Sequence, residues 1–204
     1  MGDAASIEGV NGKLRLSGLL VILSGPSGVG KTTVCQRLAH RLDAFLSVSA
    51  TTRSRRDNEV HGQDYYFLSK ADFEQRLSEG RMLEHAEVYG GNYYGTPAEP
   101  VVEALAAGRV VILEIEIEGT VQVKQRYPRA VGIYLTAPTS DEQVRRLVGR
   151  KKDSPEAIVE RLNKAMAEVQ RALHAGVYDY FVVNDDVEAA VDAIAKIVQE
   201  KQGI

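Results

Sequence analysis

The sequence holds a single cysteine, Cys35, so it can form neither an internal disulfide nor a cysteine-rich metal site. No apolar run approaches the roughly 20 residues that a membrane-spanning helix needs, and no secretory signal is visible. Basic charge is not in excess either. With 25 Lys+Arg against 28 Asp+Glu the net charge is −3, which argues against a general nucleic-acid binder, since phosphate backbones demand a basic surface. Internal repeats and low-complexity tracts are missing as well. What is present is an ordinary globular composition, 44% hydrophobic and 26% charged over 204 residues. That length supports one substantial core and is short for two ordinary domains. The simplest compartment is the cytoplasm, and Cys35 reads as a buried bystander.

Residues 1 to about 16 read as a polar, flexible leader. Met1-Gly2-Asp3-Ala4-Ala5-Ser6 formally fits the myristoylation pattern, but so short a motif specifies little and one acyl chain anchors only marginally.

The informative stretch is Gly25-Pro26-Ser27-Gly28-Val29-Gly30-Lys31-Thr32, which fits the G-x-x-x-x-G-K-[ST] phosphate loop; Thr33 follows it. Glycines let the backbone curl so that successive N–H groups point at phosphate oxygens. Lys31 supplies a point charge for the outer phosphates, and the Thr32 hydroxyl can ligate Mg²⁺. Context supports the match. Leu19 to Leu23 is an apolar run of strand length, and Val34, Leu38 and Leu42 recur at helical spacing just after the loop. The helix therefore starts where phosphates would sit. This is a nucleoside triphosphate site.

Strand-like and helix-like stretches alternate along the rest, which predicts an α/β fold with a mainly parallel central sheet. Predicted strands cover 45–50, 64–68, 82–88, 110–113, 131–135 and 180–183, with Glu114 closing the fourth. Predicted helices cover 71–77, Pro97 to about Gly108, 140–150, one opened by Ser154-Pro155, and 189–198. Ser140 with Gln143 resembles a capping box. Ile158, Leu162, Met166, Val169 and Leu173 form the apolar stripe of the helix after Pro155. Gly90 to Gly95 reads as a turn-rich aromatic stretch. Residues 17–204 thus form one three-layer domain, interrupted by a polar insertion at about 50–97 and a basic helical insertion at about 141–164.

A phosphate loop shows that a triphosphate binds and leaves its fate open. Ser49 to Arg56 adds Arg53, Arg55 and Arg56 directly after a predicted core strand. Arginine forks fit phosphate oxygens with paired hydrogen bonds, and both loops would follow carboxyl ends of strands. Taken alone, such a run is as well explained by a solvated basic loop.

At this point the sequence resembles the guanylate kinase family, from about Gly18 to about Val198. Separated motifs carry the resemblance: the phosphate loop; Ser49 to Arg56; Gly62-Gln63-Asp64-Tyr65; Leu83-Glu84-His85-Ala86-Glu87; Asn92-Tyr93-Tyr94-Gly95-Thr96; Glu114 to Gly119; and Tyr178-Asp179-Tyr180 through Asn184-Asp185-Asp186. It implies a P-loop fold with a GMP-binding insertion and a helical lid. The implied reaction is Mg²⁺-dependent transfer of the ATP γ-phosphoryl to GMP, with dGMP expected as a second acceptor. It implies ATP contacts from the whole loop, Gly25 to Thr33, and from Asn184 at the adenine end. It implies that Arg53, Arg56, Tyr65 and Tyr94 grip the GMP phosphate, with Gly95 and Glu116 also at the GMP site. Glu84 is expected to read guanine N1–H and N2–H₂, assisted by Ser49 and Thr96. Gly90-Gly91 places one more residue between Glu84 and Tyr94 than the family pattern, so Glu87 stays open as the alternative.

The segment 145–152 carries five basic residues in eight positions, including Arg145, Lys151 and Lys152. By itself this is a solvated basic face. The resemblance implies a lid whose Arg146, Arg150 and Arg161 reach the ATP phosphates and, with Lys31 and Arg53, neutralise charge on the moving group. Thr32 is expected as the direct magnesium ligand and Glu114 as a ligand through water. ATP and GMP are the expected partners, with no nucleic acid and no membrane. Rival readings are a P-loop kinase for another phosphorylated small molecule, which needs no guanine reader, and a non-catalytic scaffold module of the same fold. A GTPase lacks support because no Asn-Lys-x-Asp motif is present.

Overall fold

The computed structural model describes residues 6–7, 14–15, 17–88, 90–148 and 155–203, with the backbone alone at 6–7, 14–15, 88, 147–148, 155–162 and 164. Along the chain run β1 (Ser6–Ile7), β2 (Leu14–Arg15), β3 (Leu19–Ser24), α1 (Lys31–Leu42), β4 (Phe45–Leu46), β5 (Ala50–Thr51), β6 (Tyr66–Phe67), α2 (Lys70–Ser78), β7 (Met82–Val88) and β8 (Asn92–Pro97). Then come α3 (Ala98–Ala106), β9 (Val110–Glu114), α4 (Ile117–Arg126), β10 (Val131–Thr136), α5 (Ser140–Val148), α6 (Pro155–Ala175), β11 (Tyr180–Val183) and α7 (Val187–Gln202).

The core is a parallel sheet in the order β11-β10-β3-β9-β4. Its strands are apolar on both sides because both sides are covered, as the period of two requires. Val21 and Leu23 face a cluster with Val34, Leu38, Val191 and Ile194 of α1 and α7. Leu20 and Ile22 face the opposite cluster, with Val101, Leu105 and Val123 of α3 and α4. These are the three layers that the alternation predicts. Beside them stands a second sheet, β6-β5-β8-β7, made by the 50–97 insertion around Phe73 and Met82. Ser6–Ile7 and Leu14–Arg15, within the leader, pair antiparallel. Among the described residues no helix is long and apolar enough to cross a membrane.

Four elements differ from expectation. The strand expected over 45–50 divides, with Phe45–Leu46 joining the core sheet and Ala50–Thr51 the second one. Asn92–Pro97 is a strand paired along β7, where turn was expected up to Gly95 and Pro97 was expected to open a helix, because Tyr93, Gly95 and Pro97 alternate with Asn92, Tyr94 and Thr96. Helix α4 has no counterpart among the expected elements; its Ile117, Gly119, Thr120, Val121 and Val123 are poor helix formers that tertiary contacts hold in helix. In α6 the stripe is displaced: Ala165 and Ala172 are buried, whereas Met166 and Leu173 are each 53% exposed. Small alanines let α6 lie close to Ile117 and Tyr134. Ile158 and Leu162 have side chains outside the described residues.

Candidate functional site

The phosphate loop links β3 to α1. Gly28 and Gly30 have φ of 82° and 93°, the left-handed region that glycine enters without strain, and Gly30 is the N-cap of α1. The Lys31 ammonium donates to the Gly25 carbonyl and lies 3.9 Å from a Glu116 carboxylate oxygen. Thr32 Oγ1 donates to Glu114 Oε1 at 2.9 Å. Burial raises the Glu114 carboxyl above its usual range, while Thr32 and Lys31 pull it back.

The loop is braced from two directions. Asn184 is 1% exposed; its Nδ2 donates to the Val29 carbonyl at 2.7 Å, and a Cβ on Gly30 would lie 2.8 Å from it. The side chain expected at the adenine end therefore lies against the phosphate loop, and its Oδ1 is buried without a partner among the described residues. Gln143 of α5 donates to the Ser27 carbonyl at 3.0 Å. That contact was not legible as such, because Gln143 looked like half of a capping box. The cap is one residue earlier, with Thr139 Oγ1 accepting from Glu142 N, which frees Gln143 to reach the loop. Arg146 donates to the carbonyls of Asn184 and Asp185 and to Glu142, so its fork faces the β11–α7 turn. Arg150, Lys151 and Lys152 lie outside the described residues, and Arg161 is placed on α6 by its backbone only.

Across from the loop, the second sheet gathers Arg53, Tyr65 and Tyr94. Arg53 Nε donates to the Tyr94 hydroxyl at 3.2 Å, and its guanidinium sits 5.6 Å from the Tyr65 ring centre. The two phenol rings meet edge to face at 6.0 Å. Arg53 is held by an acidic residue that no sequence motif marks. Glu59 accepts from both terminal nitrogens of Arg53 at 3.0 and 2.7 Å and from the Arg56 backbone N–H at 2.8 Å. The pair holds the Glu59 carboxyl below its usual range and raises Arg53 further. The available signal was weak, since Glu59 follows the arginine run after Asp57 and Asn58. Arg56 itself is exposed, with its guanidinium 3.9 Å from Glu59. Replacing Glu59 by Gln should leave Arg53 unclamped and weaken binding of a phosphate monoester beside it on the order of tenfold, as loss of a charge-assisted bond does; an unchanged affinity would remove Glu59 from the site.

Of the two carboxylates left open, Glu84 is 5% exposed and receives the Thr96 hydroxyl at 2.7 Å, whereas Glu87 is exposed. Three residues apart on one strand, they point to opposite faces. The additional glycine does not disturb the register: pairing runs from Glu84↔Thr96 to Val88↔Asn92, and the extra residue is taken up in the hairpin tip. Ser49 is half-buried at the foot of β5, its carbonyl accepting from Tyr66 N; Gly95 is buried between β7 and Phe73.

Burial raises the Glu84 carboxyl from the usual 4.5 to about 6, against the lowering effect of Thr96. The folded chain then binds this proton more tightly than the unfolded chain does. The associated stability is present below about pH 4.5 and lost as pH rises through 6, about 2 kcal/mol in all. Glu84→Gln carries no such loss. Denaturant titrations should show the variant gaining about 2 kcal/mol on wild type between pH 4 and pH 8; parallel curves would mean that the carboxylate is not buried in charged form.

The segment from Glu114 to Gly119 ties the two halves together. Glu114 touches Thr32, Glu116 faces Lys31, and Gly119 abuts Glu84, whose carboxylate would lie 2.5 Å from a Cβ there. Phosphate loop and buried carboxylate thus sit at opposite ends of one short turn.

The guanylate kinase family model matches residues 17–201. A guanylate kinase of Synechocystis sp. is 47% identical over 188 residues, covering 92% of this chain and 96% of that protein. One from Lactococcus lactis is 48% identical over 187 residues, covering 91% and 89%. The crystal structure of guanylate kinase from Anaplasma phagocytophilum superposes with a TM-score of 0.73 at 32% identity, over 92% of this chain and 87% of that one.

Proposed function

We infer that this chain, which belongs to the guanylate kinase family, transfers the γ-phosphoryl group of ATP to GMP, giving ADP and GDP. The observation that carries the reading is the Glu114–Gly119 turn, which joins a lysine-bearing phosphate loop to a buried carboxylate–hydroxyl pair. Phosphoryl transfer needs positioning and charge neutralisation more than a covalent catalyst, and this arrangement supplies both.

The N–H groups of the loop between Gly25 and Thr33, where Pro26 has none, cradle the ATP phosphates, with Lys31 on the outer ones. Arg53, Arg56, Tyr65 and Tyr94 grip the GMP phosphate; phenol and guanidinium donors suit a dianionic monoester. The ionised Glu84 accepts from guanine N1–H and N2–H₂, and Thr96 and Ser49 offer hydroxyls to the base. Thr32 and Glu114 are hard oxygen donors already 2.9 Å apart, a set that fits Mg²⁺, with Thr32 as direct ligand and Glu114 holding a bound water. Such an ion would offset the negative charge of the triphosphate. The attacking oxygen belongs to an anionic phosphate, so no general base is required. Arg146, Arg150 and Arg161 belong to the lid that closes over ATP and excludes water. Arg146 also fixes the Asn184–Asp185 turn, whose backbone is left to meet the adenine end.

The test is ADP formation from Mg-ATP with GMP, dGMP, AMP, CMP and UMP offered separately. Turnover with GMP, shared by dGMP and absent with the others, is the expected result. Turnover with none would overturn the enzymatic reading in favour of a scaffold or a kinase for another phosphorylated molecule.

A further inference from the structure

We propose that Gly119 is a positioning residue for guanine selection: the bare face of α4 at this position is the space that the Glu84 carboxylate occupies. The inference rests on Glu84 as the guanine reader and deepens it.

An ideal Cβ on Gly119 would stand 2.5 Å from Glu84 Oε2, 3.0 Å from its Cδ and 3.3 Å from its Cγ. Something must yield, and the structure shows what cannot. Helix α4 is fastened to β7 on both sides of Glu84. Gln122 accepts from His85 N–H at 3.2 Å and donates to the His85 carbonyl at 2.8 Å, while Arg126 donates to the Met82 carbonyl at 2.8 Å. Residues 119, 122 and 126 share one helix face, so both staples lie on the glycine's face, about one and two turns beyond it. The root of the helix is held equally firmly. Ser24 Oγ donates to the Ile115 carbonyl at 2.6 Å, Thr120 Oγ1 donates to the Glu116 carbonyl at 3.0 Å, and the Tyr178 hydroxyl donates to Thr120 at 3.2 Å.

The helix cannot retreat, so an added methyl displaces the flexible end of Glu84. Thr96, 2.7 Å away on the neighbouring strand, then loses its acceptor. Backbone and core stay as they are, because the colliding atoms end a side chain. Glycine near the start of a helix is otherwise a poor choice, inferior to alanine in propensity. Its presence at a buried position of α4 is explained by what it leaves open.

The test is a cycle of Gly119→Ala, Glu84→Asp and both together, read as KM for GMP, KM for ATP, kcat and thermal midpoint. A misplacement of about 1 Å at a reacting assembly costs on the order of 100-fold, so Gly119→Ala should raise the KM for GMP by about that factor with ATP affected less than about twofold. Glu84→Asp, one methylene shorter, should weaken GMP on its own. In the double variant the 2.5 Å collision is relieved, because the carboxyl carbon falls back to the Cγ position 3.3 Å from the methyl, and GMP should be used at least about tenfold better than the two single effects combined would allow. A Gly119→Ala enzyme with normal GMP kinetics overturns the proposal, and so do strictly additive effects. If Glu84→Asp leaves GMP kinetics unchanged, the guanine reading of Glu84 itself falls, a different result. If Gly119→Ala fails to fold, the double variant decides: relief of the collision requires it to fold, and a second failure overturns the account.

Discussion

Glu84→Gln is expected to erase the preference for GMP over AMP. Guanine presents N1–H and N2–H₂, two donors that a carboxylate accepts together; adenine presents an acceptor at N1 and a donor at N6. A carboxamide offers one donor and one acceptor, the pattern that suits adenine. In wild type, AMP would leave a buried anion facing a lone pair, and sites of this kind reject the mismatched analogue by about 10⁴–10⁵-fold. Because Glu84 is 5% exposed, water cannot rescue the mismatch. The variant should bring kcat/KM for the two nucleotides to within roughly tenfold of each other, mostly by losing GMP. The KM for ATP should hardly change, since Glu84 sits on β7 and not on the phosphate loop. Persistence of the full GMP preference in Glu84→Gln would transfer guanine recognition to another residue. The acid limb of the wild-type pH profile bears on the same group. Below about pH 6 protonated Glu84 no longer accepts, so GMP use should fall. The GMP phosphate titrates in that range too, and the residual profile of Glu84→Gln separates the two.

What the sequence disclosed, and what it hid, divides along the range of the interactions. The phosphate loop is contiguous, its glycines and Lys31 adjacent, so its chemistry is written locally. The core strands carry their burial in their composition: Leu19 to Leu23 and Val110 to Leu113 have no polar face to confuse the period. Glu84 and Thr96 lie twelve residues apart and become a pair only through the antiparallel register of β7 and β8. That register was invisible where Asn92 to Gly95 looked like turn, so the contest between Glu84 and Glu87 could be settled only in space. Asn184 is the sharper case. Its position after the final strand was correct, yet its side chain turns under the loop because Gly30 leaves room there. Helix α4 went unread because β-branched residues and a glycine argue against helix locally, and the forces that hold it are contacts with Ser24, Tyr178, Met82 and His85. Glu59 stands past the arginine run, behind Asp57 and Asn58, and becomes a clamp only because the loop folds back onto Arg53 and Arg56.

Lys31→Ala should remove most of the chemical step while leaving the GMP site standing. The ammonium has few competing roles in this structure: it donates to the loop's own Gly25 carbonyl and faces Glu116 at 3.9 Å, and its side chain is 14% exposed. Neither contact holds the fold, since α1 is anchored by Val34, Cys35 and Leu38 in the core. Its worth lies in charge that is already aimed where negative charge shifts during transfer. Removal of one preorganised donor of this kind lowers kcat by about 10²–10³-fold. In the proposed site GMP is held by Arg53, Tyr65, Tyr94 and Glu84, on and beside the second sheet, so calorimetric GMP affinity should remain within about threefold, inside the spread expected for a distant site. The thermal midpoint should also hold, because no buried apolar contact is lost. A variant that kept wild-type kcat would deny the loop its phosphate-cradling role. One that lost GMP binding together with turnover would place Lys31 on the acceptor side, against the separation of the two sites along the Glu114–Gly119 turn.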